Sequence, residues 1–322
     1  MGEPARIVSI SLGSSTRDKV VQAEFLGQPF SLERRGTDGD LEAARRLIAE
    51  LDGQVAAIGL GGIDLYLIAG RRRYVVRDAL KLAQCARQSP VVDGSGLKNT
   101  LERETVKYLA AQGLIAPANG AKRRPRVLVL SAVDRFGMAE AVDALDCDQV
   151  FGDVIFALKI PLPVRRLGTI RVLAALLLPI LCRLPFENLY PTGEKQTKSH
   201  GLGQKWFHWA DVIGGDYHFV GSNLPRPASA EDRPLAGKMI VTNTTTEADV
   251  EKLRALGLAK LVTTTPRLGG RSFGTNVMEG VLVALSDKRP ENLTEADYMD
   301  LLSRLNWQPQ VENLQSEAVA SQ

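Results

Sequence analysis

The chain has 322 residues, 44% of them hydrophobic and 24% charged, with a formal net charge of +3. These values exclude a disordered chain, leave room for two domains, and fall far short of the charge density of a dedicated nucleic-acid binder. Cys85, Cys147 and Cys182 form no CxxC pair, which argues against a disulfide framework and against a zinc site and points to the cytoplasm.

In chain order, strand and helix signals alternate. RIVSISLG (6–13) reads as a strand, and VVQAEFLG and FSLERRG as paired extended segments. DLEAARRLIAEL (40–51) is an amphipathic helix with Asp40 as its N-cap and Leu41, Ala44, Leu47, Ile48 and Leu51 at helical spacing. VAAIGLGG is a buried strand ending in glycines, ALKLAQCARQ a helix and PVVDG a short strand. LKNTLERETVKYLAAQG is a long helix closed by Gly113. The stretch IAPANGAKRRP carries the boundary signal.

Beyond it, RVLVLSA suits a central parallel strand, FGMAEAVDAL a helix and QVFGDVIFAL another strand. LGTIRVLAALLLPILCRLPF (167–186) is too short to span a bilayer. It is expected either as a buried helix or, with Arg165, Arg166, Arg171 and Arg183 beside it, as a helix lying on a membrane surface. In GGDYHF, Asp216 and His218 are expected on one side of a strand. KMIVTN, TEADVEKLRALG and AKLVTTTP form a β-α-β unit, with Thr244 and Glu247 in a capping box, and Thr294 with Asp297 repeats that device. The fold class is therefore α/β: two Rossmann-like lobes with mostly parallel sheets around a crevice. The lobes are expected at 1–118 and 122–306, followed by a tail at 307–322.

Ligands of such folds bind at the carboxyl ends of strands, and the loops at those ends share a chemistry. They are GSSTRDK, GLGGID, DGSGLKNT, TNTTT and TTTPRLGGRSFGTN. Small hydroxyl residues and glycines admit a ligand to the backbone, helix N-termini favour anions, and Arg267 and Arg271 add bidentate donors. A small anionic molecule is the expected partner, with no nucleic acid and with peripheral membrane contact through 167–184. The competing reading pairs one of these arginines with a surface carboxylate such as Glu279. Acid–base candidates are Asp38, Asp40, Asp64, Asp93, Lys98, Asp134, Asp153, Asp216 and His218. Of these, Asp93 and Lys98 share one glycine-rich helix entrance. GLGG is an incomplete dinucleotide fingerprint, since Asp64 stands where the third glycine belongs.

The strings SLGSSTRD, GTDGD, GLGGIDLYL, VVDGSGLKNTLER, YPTGEKQ, TNTTTEADVEKL and TTTPRLGGRSFGTNVMEG resemble a group of bacterial proteins commonly labelled quinate 5-dehydrogenase or dinucleotide-utilising enzyme, distantly similar to shikimate and quinate dehydrogenases. The resemblance implies an NAD(P)-linked oxidoreductase acting on a small hydroxylated carboxylic acid. NAD or NADP would be held by Thr244, Thr245, Thr265, Arg267, Arg271 and Asn276, with Lys98 and Asp93 as the catalytic pair. The Asn-x-Thr-x-Pro-x-Lys string of shikimate dehydrogenases is absent. The alternative is a non-redox binder or transferase of a phosphorylated metabolite or nucleotide.

Overall fold

The computed structural model describes residues 3–70, 72–185, 203–265, 267–268, 271–272, 274–286 and 288–315. The chain divides into two compact units that interleave in sequence. Unit 1 holds Met1–Thr100, Ala174–Lys195 and Phe273–Trp307; unit 2 holds Leu101–Leu173, Gln196–Ser272 and Gln308–Gln322. A single linear boundary near residue 120 does not describe this interleaving.

Unit 1 begins with β1 (Ala5–Ser11), β2 (Lys19–Phe25) and β3 (Gln28–Gly36). β2 and β3 form a hairpin through Leu26 and Gly27, both at positive φ, the requirement of a two-residue turn that matches strand twist. β1 runs parallel to β3 on one side and to β4 (Ala57–Gly61) on the other. Its last five residues are all buried, as expected of a strand covered on both faces. Between β3 and β4 lies α1 (Leu41–Leu51), whose Asp40 cap accepts from the backbone N–H of Glu42 and Ala43. Ala44, Ile48 and Leu51 turn inward from it. After β4 come an antiparallel hairpin, β5 (Tyr66–Ala69) and β6 (Arg72–Val75), then α2 (Arg77–Ala83), β7 (Val91–Val92) and the start of α3 (Ser95–Ala111), which passes into unit 2 at Leu101. The sheet order is β2-β3-β1-β4-β7. The helix Thr275–Leu285 packs on this sheet so closely that a Cβ at Gly280 would stand 2.7 Å from Ile7.

Unit 2 contains β8 (Arg126–Val129), α4 (Phe136–Asp143), β9 (Asp148–Phe151), the start of α5 (Leu167–Leu181), which passes into unit 1 at Ala174, then the helix Gln204–Trp209, β10 (Val212–Gly214), the helix Tyr217–Asn223, β11 (Met239–Thr242), the helix Glu247–Ala255 and β12 (Lys260–Thr263). A short hairpin follows, β13 (Arg267–Leu268) with β14 (Arg271–Ser272). β15 (Gln310–Asn313), inside the stretch expected as a tail, pairs antiparallel with β12. The order is β15-β12-β11-β10-β8-β9, parallel except for β15. Leu128, Ile213, Ile240 and Leu261 from four strands join Phe207, Val220 and Leu253 in its core. Both units are thus α/β with mostly parallel sheets.

Three local expectations are corrected. The strand expected through QVFGDVIFAL ends at Phe151, and 153–157 form a π-helical turn. There the Asp153 carboxylate accepts from the N–H groups of Ala132 and Val133 at 3.0 Å each, which draws the chain away from the sheet. The GGDYHF strand stops at Gly214; Asp216 instead caps the helix Tyr217–Asn223 by accepting from His218 N–H at 2.9 Å. The capping box after β11 uses Thr246 and Asp249, two residues beyond Thr244 and Glu247, whereas Thr294 and Asp297 cap the helix Glu295–Arg304 as expected.

Candidate functional site

In unit 2 the chain passes from β8 to β9 on one side and then returns to β10 on the other. The β8 and β10 crossovers therefore diverge, and the carboxyl edge between them is the switch point where ligands of open parallel sheets bind. The loop after β8 carries Ser131, Asp134 and Arg135 there, and the loop after β10 carries Asp216.

Arg135 is 3% exposed and spreads its planar guanidinium over three carboxylates. Nε donates to Asp134 at 3.0 Å, one terminal nitrogen to Glu102, and the other to Asp216 at 2.8 Å. Burial opposes the guanidinium's charge, but Glu102, Asp134 and Asp216 outweigh it and hold Arg135 firmly protonated. Burial likewise pushes Asp216 up, yet Arg135, then His218, keep its carboxyl below the usual range. Asn243, directly after β11, donates to Asp216 at 2.9 Å, and its own carbonyl accepts the Thr265 hydroxyl at 2.8 Å. Asp153, at the end of β9, is raised by burial despite the backbone bonds it accepts. One guanidinium thus faces three carboxylates, of which Asp134 and Asp216 are partly exposed. These planar acceptors are fixed in place, suited to hydroxyl groups and ill suited to a phosphate.

The residues expected at a catalytic or cofactor site fall in both units. In unit 1, Asp93 spends its oxygens on the backbone: Oδ2 accepts from Leu65 and Tyr66, and Oδ1 from Ser95. Lys98 pairs with Asp64 at 3.1 Å. Asn276 donates to Ser9 Oγ at 2.7 Å, and its backbone N lies 2.6 Å from where a Gly94 Cβ would stand. So Asp93 and Asn276 are brought to one place, but Asp93 braces the entrance of α3 and Asn276 ties its helix to β1. Gly94 has φ +89° as well, so both its conformation and its neighbours require glycine there. In unit 2, Thr245 and Thr265 are buried, and Thr244 is half-buried in the loop after β11. Arg267 and Arg271 lie on the paired strands β13 and β14; their side chains lie outside the described residues.

Glu279 is not a surface carboxylate. It is 3% exposed and accepts from the N–H of Gly94 at 2.6 Å, the N–H of Leu97 at 3.3 Å and the hydroxyl of Tyr298 at 2.6 Å. Burial, then the charge of Asp93, pushes it up to about 7 against those hydrogen bonds. Arg135, Glu102 and Asn243 were not among the sequence candidates. Two carried a signal: Arg135 follows β8 at a helix start and Asn243 follows β11 directly, both strand-end positions. Glu102, inside α3, carried none.

Two family models match, one described as Domain of unknown function (DUF8753) over residues 6–93, the other as Domain of unknown function (DUF8754) over 96–314. No curated protein matches the chain. Similar solved structures include an ABC transporter solute-binding protein from Burkholderia multivorans (13% identity, 88% of this chain and 93% of that one, TM-score 0.37). They also include GanP, a glucose-galactose binding protein from Geobacillus stearothermophilus (10%, 99% and 100%, TM-score 0.36). A third is a hetero-hexameric glutamate dehydrogenase from Thermus thermophilus (13%, 94% and 74%, TM-score 0.42). Likenesses this distant carry no activity over to this chain.

The expectation of an NAD(P)-linked, quinate dehydrogenase-like oxidoreductase is corrected. Within unit 1 the GLGG string closes β4 and leads into the β5–β6 hairpin, so it offers a pyrophosphate no helix N-terminus. The DUF8754 match spans more than half of the chain, and the protein belongs to that family.

Proposed function

We propose that the protein is a non-redox binder of a small hydroxyl-rich metabolite, seated on the carboxyl edge of unit 2. The observation that carries this reading is the pair Asp134 and Asp216. Each side chain stays about a quarter exposed (25% and 26%), and both are oriented by the buried Arg135. Partly exposed carboxylate oxygens accept hydroxyl protons, so a hydroxyl-bearing ring matches them. Because Arg135 and Asn243 already hold Asp216, little ordering remains to be done on binding. A phosphorylated ligand is the weaker reading here. The helix after β11 opens with Glu247 and Asp249, whose charges oppose an anion at its N-terminus. The working location in this reading is the cytoplasm, with peripheral membrane contact through 167–184, favoured by the exposure of Val172, Leu176 and Ile180.

Isothermal titration with a panel of neutral monosaccharides, polyols and their phosphate esters tests the ligand class. Neutral sugars are expected to bind, and Asp134→Asn is expected to weaken them by about 1.5 kcal/mol, the low end for a hydrogen bond to a charged group. Binding of phosphate esters alone, with every neutral sugar inert, would overturn it.

A further inference from the structure

We propose that α5 is an interfacial helix that lays the protein on anionic lipid bilayers. This rests on the peripheral contact proposed above and is independent of the sugar site. Two features carry it. The first is apolar exposure on consecutive turns. Along α5, Val172, Leu176 and Ile180 recur every fourth residue and are 59%, 66% and 64% exposed, with Leu173 and Leu177 half-buried beside them. Residues four apart share one helix face. Ala174, Leu178 and Cys182 take the buried face, so the outward stripe is surplus to what the core requires. Single exposed apolar residues are ordinary, but an unbroken stripe marks an interaction surface.

The second feature is charge. Between Asp153 and Glu187 the sequence holds no acidic residue, while Lys159, Arg165, Arg166, Arg171 and Arg183 supply five cations. All five are exposed. Arg171 is partly neutralised by Glu140 at 2.9 Å, and Arg165 sits over the Trp209 ring at 5.6 Å. Long basic side chains beside an aliphatic stripe reach headgroup phosphates while the apolar face enters the acyl boundary. Among the described residues no helix is long and apolar enough to cross a membrane, so α5 would lie in the plane of the surface. A protein partner would need matching acids and its own apolar strip; an anionic bilayer offers both without shape complementarity.

The test is cosedimentation of the full chain with vesicles of phosphatidylcholine alone and of phosphatidylcholine mixed with phosphatidylglycerol. Binding to the mixed vesicles only, weakened by salt, is expected. Leu176→Gln with Ile180→Gln is expected to weaken it about tenfold. Its circular dichroism and melting should stay at wild-type values, since both positions are exposed. Arg166→Gln with Arg183→Gln should lower the preference for the mixed vesicles. Equal binding to neutral vesicles would overturn the lipid class while leaving a peripheral contact. No binding to either would overturn the contact itself. Concentration-dependent dimers in sedimentation velocity that vanish in the Leu176→Gln/Ile180→Gln variant would assign the stripe to a second copy of the chain. Sugar titration of the same samples reports the unit 2 site separately.

Discussion

Replacing Glu279 by Gln probes the most perturbed carboxyl in unit 1. Its oxygens meet two backbone N–H groups and the Tyr298 hydroxyl. Burial, followed by the Asp93 charge, carries it from an ordinary 4.5 to about 7. Between those values the folded protein holds a proton that the unfolded chain has released. Stability is therefore full below pH 4.5, falls as the pH rises toward 7, and levels off above it. A displacement of that size is worth about 3 kcal/mol. Gln keeps the shape and removes the titration. Wild type should lose about 3 kcal/mol relative to Glu279→Gln between pH 5 and 8. Calorimetric melting should show this as a gap that changes by about 6–12 °C. Hydrogen exchange at β1 and β4 amides should place the same change in unit 1. Tyr298→Phe removes a hydrogen bond that favours the charged form, so its midpoint should move higher. Wild-type and Glu279→Gln curves that run parallel from pH 5 to 8 would refute the reasoning, because they would mean the carboxyl is ionised throughout.

Gly94→Ala should destabilise by about 3 kcal/mol or more in urea unfolding, because φ +89° and the Asn276 backbone both exclude a side chain; a loss under about 1 kcal/mol would contradict the close approach. Arg123 grips Asp211 with two nitrogens at 2.6 and 2.7 Å, and Asp211 also accepts from Ala118 and Arg126 N–H. Arg123→Ala should cost about 2 kcal/mol, below the range for a fully buried pair because Arg123 is partly exposed. Arg123→Lys should recover less than half of that, as a point charge replaces a fork, and full recovery would show that charge alone matters. Asn243→Ala should weaken sugar binding more than it lowers the melting point, since it releases Asp216; unchanged affinity by calorimetry would remove Asn243 from the site.

The sequence alone determined the features that depend on neighbours along the chain. Asp40 and Thr294 sit directly before periodic apolar runs, and their caps form where expected. The alternation of apolar strands with amphipathic helices was enough for an α/β class with mostly parallel sheets, because strands such as 7–11 and 127–129, buried on both faces, need helix cover. The tertiary structure decided what depends on distant partners. QVFGDVIFAL has strand propensity throughout, but Asp153 gains more from the N–H groups after β8 than from continuing the ladder. Thr244 and Thr246 both precede an acid by three residues, and only the length of β11 selects Thr246. Glu279 reads as an exposed helix residue until the fold brings it against Gly94, 185 positions away. Arg135 becomes a site residue only when Glu102, Asp134 and Asp216 converge on it. Propensity and periodicity are local, whereas burial, and the charge compensation it demands, are set by which segments the sheet order makes neighbours.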